Sequence, residues 1–344
     1  MTSQKVKTYH VIGEPDVKKR LEASLAAGGF SPAQVGDADV VFTYCAGMTA
    51  LEDAYYDSKG LLQSTKKDVV LVDLSPATVS FAQELCAMGS VSERHVLDAP
   101  LVVRNMVAPD AFAHIDNLGM VVGGAEEVFR RAEPMLRALA RRVMWMGKSG
   151  AGQSAKIGIT LTTAAGLIGL VESCASFAAA ETEVDNEDYL DFALAMGALT
   201  PAQEAFLQAM EEDNFENASF TVEYLMAELA AALTSVDDGD LILPHAEAAF
   251  RLMELLAMVG GVSYGIAALK LVFADEETGK KYHLDWAAAE GAYEHDCDCD
   301  HDDPDHECMC GHDHDDPNHE CCGGHYHEHG HQQGQSGYIS FSSN

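Results

Sequence analysis

The spacing of hydrophobic residues predicts two kinds of structure along the chain. Up to about residue 148, short apolar runs typical of buried strands alternate with stretches whose apolar residues recur every three or four positions, as on one face of a helix. Strands that alternate with helices predict a parallel α/β sheet. The strands are expected at Thr8–Gly13, Asp39–Tyr44, Val69–Asp73, His95–Asp98, Met120–Val122 and Val143–Met146, and the helices at Asp16–Ala27, Thr49–Leu62, Thr78–Met88 and Ala125–Ala140.

From Gly152 onwards the spacing is helical throughout. A long apolar helix is predicted over Gln153–Ala180, followed by helices at Asn186–Met196, Thr200–Glu212, Phe215–Leu233, Pro244–Val259 and Val262–Ala274. Gly158, Gly166 and Gly169 lie inside the long helix, each at a cost of about 1 kcal/mol relative to alanine, which predicts a closely packed neighbour. The predicted domains are a sheet domain over residues 1–148, a helical domain over 149–292 and a tail over 293–344.

The charge balance is strongly acidic. The 344 residues include 55 Asp and Glu against 21 Lys and Arg, a net charge of −34. Nucleic acid and anionic membrane surfaces repel such a chain, so neither is predicted as a partner. The most apolar stretches, Leu161–Ala180 and Ala257–Ala274, contain Glu172 and Lys270 and fall short of the roughly 20 clean apolar residues that a bilayer needs. Both are expected to be buried helices.

Two features favour a cytoplasmic protein. The opening residues, MTSQKVKTYH, contain no hydrophobic signal region. Cys45, Cys86 and Cys174 are scattered through apolar contexts, as expected for reduced thiols in a core.

The segment over residues 147–172 carries the most chemistry in the body of the chain. A Gly-rich turn opens the long helix, and Lys156 lies in its first turns with Thr160 and Thr163 on the same face. Periodicity alone leaves two interpretations of Lys156 open, a functional group or a surface lysine whose charge reaches solvent along the helix.

Five motifs resemble those of one family. Residues 143–158, VMWMGKSGAGQSAKIG, resemble the G-x-x-G-x-G-Q-x-x-K motif of the β-hydroxyacid dehydrogenases, which include 3-hydroxyisobutyrate dehydrogenase and, more distantly, 6-phosphogluconate dehydrogenase. Upstream of it, VDLS (72–75), LDAP (97–100), NLGMVVGG (117–124) and EPMLRAL (133–139) follow in the family's order and near its spacing. The resemblance covers residues 37–181 well and extends weakly to about residue 271.

This resemblance implies a Rossmann-like parallel sheet with an abbreviated N-terminal unit, followed by an all-helical substrate and dimerisation domain, in a homodimer. It also implies an oxidoreductase that moves hydride between NAD or NADP and a small hydroxy acid or related alcohol, with Lys156 as general acid and base. Thr160 stands where the family usually has Asn. Ser75 stands where the family has a Ser or Thr that lines the cofactor groove, although a Ser before Pro76 is equally typical of a helix N-cap.

The cofactor region departs from the family pattern. A dinucleotide-binding turn reads G-x-G-x-x-G, whereas this chain keeps only Gly13, places Glu14 and Asp16 where a phosphate would lie, and loses an N–H at Pro15. Weak or absent dinucleotide binding is therefore predicted. From Gly29 the chain almost at once reaches SPAQVGDADVVFTY, so the second strand, which chooses between NAD and NADP, is predicted to be missing.

Two further motifs differ from the family pattern. After LDAP the family continues V-S-G-G, which holds the substrate carboxylate, whereas this chain has Leu101–Asn105. Arg104 in that segment either replaces this contact, because a guanidinium can bind two carboxylate oxygens, or is a plain surface arginine. Where the family often has Lys-Asp, this chain has Ala227-Glu228.

The tail has a different composition. HDDPDHECMCGH at 301–312 is followed by the related HDDPNHECCGGH at 314–325, and the region is rich in Asp. Imidazole and thiolate are preferred ligands of Zn and Ni. With so few apolar residues the tail is predicted to be disordered without metal. The predicted metal ligands are His295, Cys297, Cys299, His301, His306, Cys308, Cys310, His312, His314, His319, Cys321, Cys322, His325, His327, His329 and His331.

Two functions are compatible with these observations. The first is the NAD(P)-dependent dehydrogenase that the resemblance implies, acting on a small-molecule substrate. The alternative is a catalytically degenerate protein of the dehydrogenase fold that binds, stores or delivers transition-metal ions through its tail. Residues 293–344 have two other interpretations. They are either an acidic tail that only increases solubility or an engineered affinity tag.

Overall fold

The computed structural model describes residues 6–180, 184–237 and 241–293. The predicted metal ligands, His295 to His331, lie outside the described residues. The described chain up to Leu284 belongs to one compact unit, and the chain from Asp285 belongs to a second, in which helix α12 spans Trp286–Tyr293. The boundaries at 148 and 292 remain predictions.

An eight-stranded mixed sheet forms the centre of the first unit. The strands are β1 (Thr8–Gly13), β2 (Ser31–Pro32), β3 (Val40–Tyr44), β4 (Val70–Asp73), β5 (His95–Asp98), β6 (Leu101–Val103), β7 (Leu118–Gly123) and β8 (Arg142–Gly147). Their order is β2-β1-β3-β4-β5-β7-β6, with β8 also paired to β7. Strands β1 to β5 are parallel, as predicted, whereas β7 runs antiparallel to β5 and to β6. Strand β6 was not predicted, because three apolar residues after a proline carry no periodic signal.

The N-terminal unit is abbreviated, as predicted. The position next to β1 is taken by the two-residue strand β2, which pairs Ser31 with Thr8 and Pro32 with Tyr9. A proline is tolerated there because β2 is an edge strand. The second strand is therefore reduced to the first residues of the SPAQ segment.

Helices pack around the sheet close to their predicted bounds. They are α1 (Pro15–Ala27), α2 (Met48–Tyr56), α3 (Leu61–Ser64), α4 (Val79–Val91) and α5 (Glu126–Leu139). The single helix predicted over Thr49–Leu62 is wrong. The chain breaks before Gly60, where a side-chain Cβ would lie 2.6 Å from the carbonyl oxygen of Tyr55. The core between β3, β4 and these helices includes fully buried Val41, Leu51, Tyr55 and Leu71.

The remaining helices of the first unit follow in a second layer. They are α6 (Ala151–Ala179), α7 (Asn186–Ala195), α8 (Pro201–Glu211), α9 (Val222–Asp237), α10 (Pro244–Met258), a 3₁₀ helix (Ile266–Phe273) and α11 (Glu276–Lys281). The helix expected from Phe215 begins only at Val222, because Phe215 and Phe220 are buried in a non-helical segment that Gly265 pins through its N–H to the Phe215 carbonyl at 2.8 Å.

The glycines of α6 differ in their surroundings. A Cβ on Gly166 would lie 2.6 Å from Nε2 of Gln203, as the prediction of close packing requires, but a Cβ on Gly158 or Gly169 would meet nothing within 4 Å. The prediction is therefore wrong for these two. Among the described residues α6 alone is long and apolar enough to cross a membrane, and only 33% of its most apolar window is buried in the protein. The prediction that Leu161–Ala180 is a buried helix is therefore met only in part. A core helix passes the same test, so this signal is weak.

Candidate functional site

The Gly-rich turn that opens α6 docks onto the carboxylate of Asp98. Asp98 ends β5 and is 2% exposed, and its two oxygens accept the N–H groups of Gly150 at 2.9 Å and of Gln153 at 3.1 Å. Burial raises the pKa of Asp98, and these amides oppose that rise. A carboxylate at a helix N-terminus also interacts favourably with the helix dipole. The LDAP and G-x-x-G-x-G-Q motifs therefore meet in one junction.

Two residues of the turn make this approach possible. Gly150 has φ of +87°, a left-handed conformation that favours glycine. A Cβ on Gly152 would overlap the carbonyl oxygen of Asp98 and lie 2.7 Å from that of Val121. Both glycines are thus explained by the contact between sheet and helix.

Ser75 belongs to the same junction. Its carbonyl accepts Nε2 of Gln153 at 2.9 Å, and its Oγ accepts the N–H of Cys45 at 3.0 Å. The alternative prediction of a helix N-cap is wrong, because α4 is capped by Thr78, whose hydroxyl accepts the N–H of Phe81 at 3.1 Å. Ser75 is fully buried. Its predicted place at a cofactor remains a prediction.

Lys156 is buried in an ion pair. Its side chain is 5% exposed, and Nζ lies 2.6 Å from Oε1 of Glu228, whose side chain is 6% exposed. The other oxygen of Glu228 accepts the hydroxyl of Thr160 at 2.8 Å. The interpretation of Lys156 as a surface lysine is therefore wrong, and the structure brings Lys156 and Thr160 together as predicted.

Glu228 is the partner of Lys156 that the sequence interpretation missed. It lies on α9, 68 residues after Thr160, and stands in place of the Asp of the family's Lys-Asp pair. That substitution was the available signal. A buried lysine needs a partner, and Glu228 supplies it.

The end of β3 packs directly against the β1–α1 turn. Gly13 has φ of +121°, and a Cβ there would overlap the carbonyl oxygen of Tyr44. The same oxygen accepts the N–H of Glu14 at 3.0 Å. Helix α1 then begins at Pro15, which has no N–H, and no side chain caps it. Gly13 is thus explained by the approach of β3, and its predicted role at a cofactor remains a prediction.

An aromatic cluster of Tyr44, Phe112, Phe220 and Tyr224 lies beside this turn. The ring centres of Tyr44 and Tyr224 are 5.9 Å apart, and that of Phe112 lies 5.8 Å from Tyr44 and 5.7 Å from Tyr224. Burial, reinforced by the charges of Glu14, Glu223 and Asp16, raises the pKa of Tyr224 to about 12. Burial and then Glu228 hold the pKa of Tyr44 well above its usual value.

These residues do not fit the pyrophosphate of NAD or NADP. A dinucleotide site offers free N–H groups and close backbone approach at a helix N-terminus. Here the Glu14 amide is taken by Tyr44 and Pro15 offers none. The negative charges of Glu14, Asp16 and Glu223 also act on Tyr224, and they would repel an anion beside this turn.

Arg104 is separate from the Lys156 ion pair. It is exposed at the end of β6 and lines a cavity of about 660 Å³ whose lining residues do not include Lys156. Its role in binding a substrate carboxylate remains a prediction.

A second group of buried polar atoms lies at the ends of β3 and β4. One carboxylate oxygen of Asp73 accepts the N–H of Ser75 at 3.0 Å. The other oxygen, with the hydroxyls of Thr43 and Tyr55, is buried without a hydrogen-bond partner among the described residues. Burial raises the pKa of Asp73 to about 7 against the lowering effect of the Ser75 hydrogen bonds.

Within residues 6–180, 184–237 and 241–293, no group of three or more His, Cys, Asp or Glu is arranged to hold a metal ion. His245 and His283 are exposed. Cys45 is buried and Cys86 and Cys174 are half-buried, all as free thiols.

Comparisons with known proteins find sequences similar to this chain among oxidoreductases. Residues 4–147 match the model of the NAD binding domain of 6-phosphogluconate dehydrogenase. The chain is 25% identical over 256 residues to the uncharacterized oxidoreductase YkwC of Bacillus subtilis, covering 73% of this chain and 86% of that protein. It is 32% identical over 164 residues to mitochondrial 3-hydroxyisobutyrate dehydrogenase of Mus musculus, covering 46% of each. The matched part thus spans less than half of the mouse enzyme.

Solved structures show the same fold. The 3-hydroxyisobutyrate dehydrogenase of Mycobacterium tuberculosis superposes with a TM-score of 0.66 at 18% identity over 79% of this chain and 100% of that chain. The enzyme of Salmonella typhimurium gives 0.65 at 17% identity over 77% and 99%. Residues 4–147 thus match a family of NAD binding domains, and the curated relatives are oxidoreductases by name, among them 3-hydroxyisobutyrate dehydrogenases. The solved structures, at 17% and 18% identity, show that the chain shares their fold.

Proposed function

We propose that this chain is a catalytically degenerate member of the dehydrogenase fold whose function is to bind transition-metal ions through residues 295–331. The observation that carries the first half is the β1–α1 turn, where the Glu14 amide is bonded to the Tyr44 carbonyl at 3.0 Å and Pro15 offers no N–H. Lys156 is paired with Glu228, with Nζ and Oε1 2.6 Å apart, so its ammonium group is already engaged by a carboxylate.

The charge beside that turn supports the same conclusion, because Glu14, Glu223 and Asp16 all act on Tyr224. The test is titration of NADH and NADPH followed by nicotinamide fluorescence. Dissociation constants above about 1 mM are expected, because an anion gains no free amide there. Binding at low micromolar concentration would contradict the proposal.

The metal half of the proposal rests on the ligand chemistry of the duplicated His, Cys and Asp segment. Calorimetric titration of Zn or Ni under reducing conditions should show several equivalents bound by the full chain. Binding should weaken as pH falls through about 6.5, because imidazole protonates there. A chain that ends at Ala292 should lose most of this binding. Equal stoichiometry in both proteins would place the sites elsewhere.

A second candidate function is favoured by the comparisons and by the retained G-x-x-G-x-G-Q-x-x-K motif. According to this second candidate, the chain is an NAD(P)-dependent dehydrogenase that acts on a small hydroxy acid, with Lys156 as general acid and base. Lys156→Ala should then lower turnover by about 100-fold or more, while Arg130→Gln on the distant surface of α5 should leave it unchanged. Turnover by the unmodified chain, together with tight NADH binding, would favour this function over the first.

A further inference from the structure

Three arginines lie at one end of strands β6, β7 and β8, a position that we call this edge. Strand β7 pairs with β6 on one side and with β8 on the other, so that Gly119 lies between Val102 and Arg142. Arg104 follows β6 at the same edge, since its N–H donates to the Asn117 carbonyl at 2.9 Å. Arg141 precedes Arg142. Their guanidinium groups are brought to a single region in a chain with only 21 cationic residues against 55 acidic ones.

This edge forms one wall of a cavity of about 660 Å³. The size lies within the range of small-molecule sites, which are mostly apolar with a few polar groups. The opposite wall comes from α6, α8 and the 3₁₀ helix. Its apolar lining residues are Ile159, Leu167, Ala202, Phe206 and Ile266.

The charge of the lining is positive. Among the described residues that line the cavity, Asp116 is the only carboxylate, and it lies 3.4 Å from Nε of Arg141 in an exposed pair. Arg104 and Arg142 have no ion-pair partner among the described residues. Two guanidinium groups are therefore available to an anion, each able to bind a carboxylate through two N–H groups.

From the arginines on one wall and the apolar surface on the other, we infer that this cavity binds an amphipathic organic anion: a carboxylate with a hydrocarbon or aryl body. Neutral hydroxyl and amide groups of Thr162, Thr163 and Gln203 add hydrogen-bonding capacity. The described residues that line the cavity include neither Lys156 nor any of the proposed metal ligands, so this site is separate from the Lys156–Glu228 ion pair and from those ligands.

The test uses the full chain and 8-anilinonaphthalene-1-sulfonate, an apolar anion whose fluorescence rises in an apolar site. Decanoate should displace the probe, whereas decan-1-ol, which has the same body without the charge, should displace it far less. Arg104→Gln and Arg142→Gln should each weaken decanoate binding about fivefold, the scale of an exposed ion pair. Arg130→Gln, at an exposed ion pair on α5, is the matched control and should change nothing.

A second variant tests the cavity itself. Ala202 is half-buried in its wall, and Ala202→Phe should block displacement by decanoate without altering the circular dichroism spectrum or the melting temperature. Equal displacement by decanoate and decan-1-ol would overturn the inference, as would unchanged affinity in both arginine variants. Probe binding that falls as the protein self-associates, measured by sedimentation, would assign the cavity to a second copy of the chain and overturn it as well.

Discussion

Asp73 provides the sharpest test of the physical argument, because its carboxyl group is buried with only one oxygen satisfied. It is 1% exposed at the end of β4. One oxygen accepts the Ser75 N–H, and the other has no partner among the described residues. Asp73→Asn keeps the shape and the acceptor, removes the charge, and offers an amide donor in place of the unsatisfied oxygen.

The sign of the pH dependence follows from linkage. The pKa of Asp73 rises from 3.8 to about 7 on folding, so the native state holds this proton more tightly than the unfolded state. The contribution to stability is full below about pH 4 and is lost as pH rises towards 7. A displacement of roughly three pH units corresponds to about 4 kcal/mol, an upper value because buried sites relax.

Urea unfolding of both proteins between about pH 5 and pH 8 gives the difference in free energy directly. Asp73→Asn should be more stable than the parent by about 2–4 kcal/mol at pH 8, and this advantage should shrink as pH falls. An advantage that does not change with pH would refute the reasoning, because the carboxyl group would then not titrate in this window.

Asp98→Asn is the matched control on the adjacent strand, where Asp98 pairs with Asp73 in register. Both oxygens of Asp98 accept N–H groups, from Gly150 and from Gln153. An asparagine amide would face one of these donors with another donor, and the loss should be about 1–3 kcal/mol. Because burial also raises the pKa of Asp98, removal of its charge offsets part of this loss at high pH, and Asp98→Asn is therefore expected to be clearly less stable than Asp73→Asn at pH 8.

The remaining predictions concern α6 and its partners, all measured by urea unfolding. Glu228→Leu should lower the free energy of unfolding by about 3–5 kcal/mol, because it leaves Lys156 buried without a counter-charge. The double variant Lys156→Met with Glu228→Leu should recover most of that loss. If the double variant shows no recovery, the ion pair is not the cause. Gly152→Ala should cost about 3 kcal/mol or more, because its Cβ overlaps the Asp98 carbonyl, whereas Gly169→Ala in the same helix should gain up to about 1 kcal/mol, since its Cβ meets nothing. Equal effects of the two alanines would contradict the described packing.

The elements that the sequence predicted correctly are those with local signals. Helix α8 begins at the predicted Thr200-Pro201 pair, where Thr200 and Gln203 form a capping box. Strands β1 and β5 have their predicted bounds. Apolar spacing and capping residues act over a few neighbours, so they can be recognised without the tertiary structure.

Long-range contacts determine the elements and the site residue that the sequence did not predict correctly. The start of α9 is delayed by the buried segment around Phe215 and Phe220, and the segment expected to be helical over Val262–Ala274 is a 3₁₀ helix from Ile266. At the site, Lys156 and Thr160 were found from their shared helix face. Glu228 could not be paired with them, because nothing in the spacing tells which face of α9 meets α6.

The contacts of Asp98 with the first turn of α6 also determine how the protein unfolds. Asp98 belongs to β5, yet its carboxylate holds the first turn of α6, and Gln153 of that turn holds the loop after β4. Separation of sheet and helices would expose a buried carboxylate and several bonded amides at once. The two layers are therefore expected to unfold as a single cooperative unit, and the amide hydrogens of Gly150 and Gln153 to exchange with solvent only when the whole unit opens.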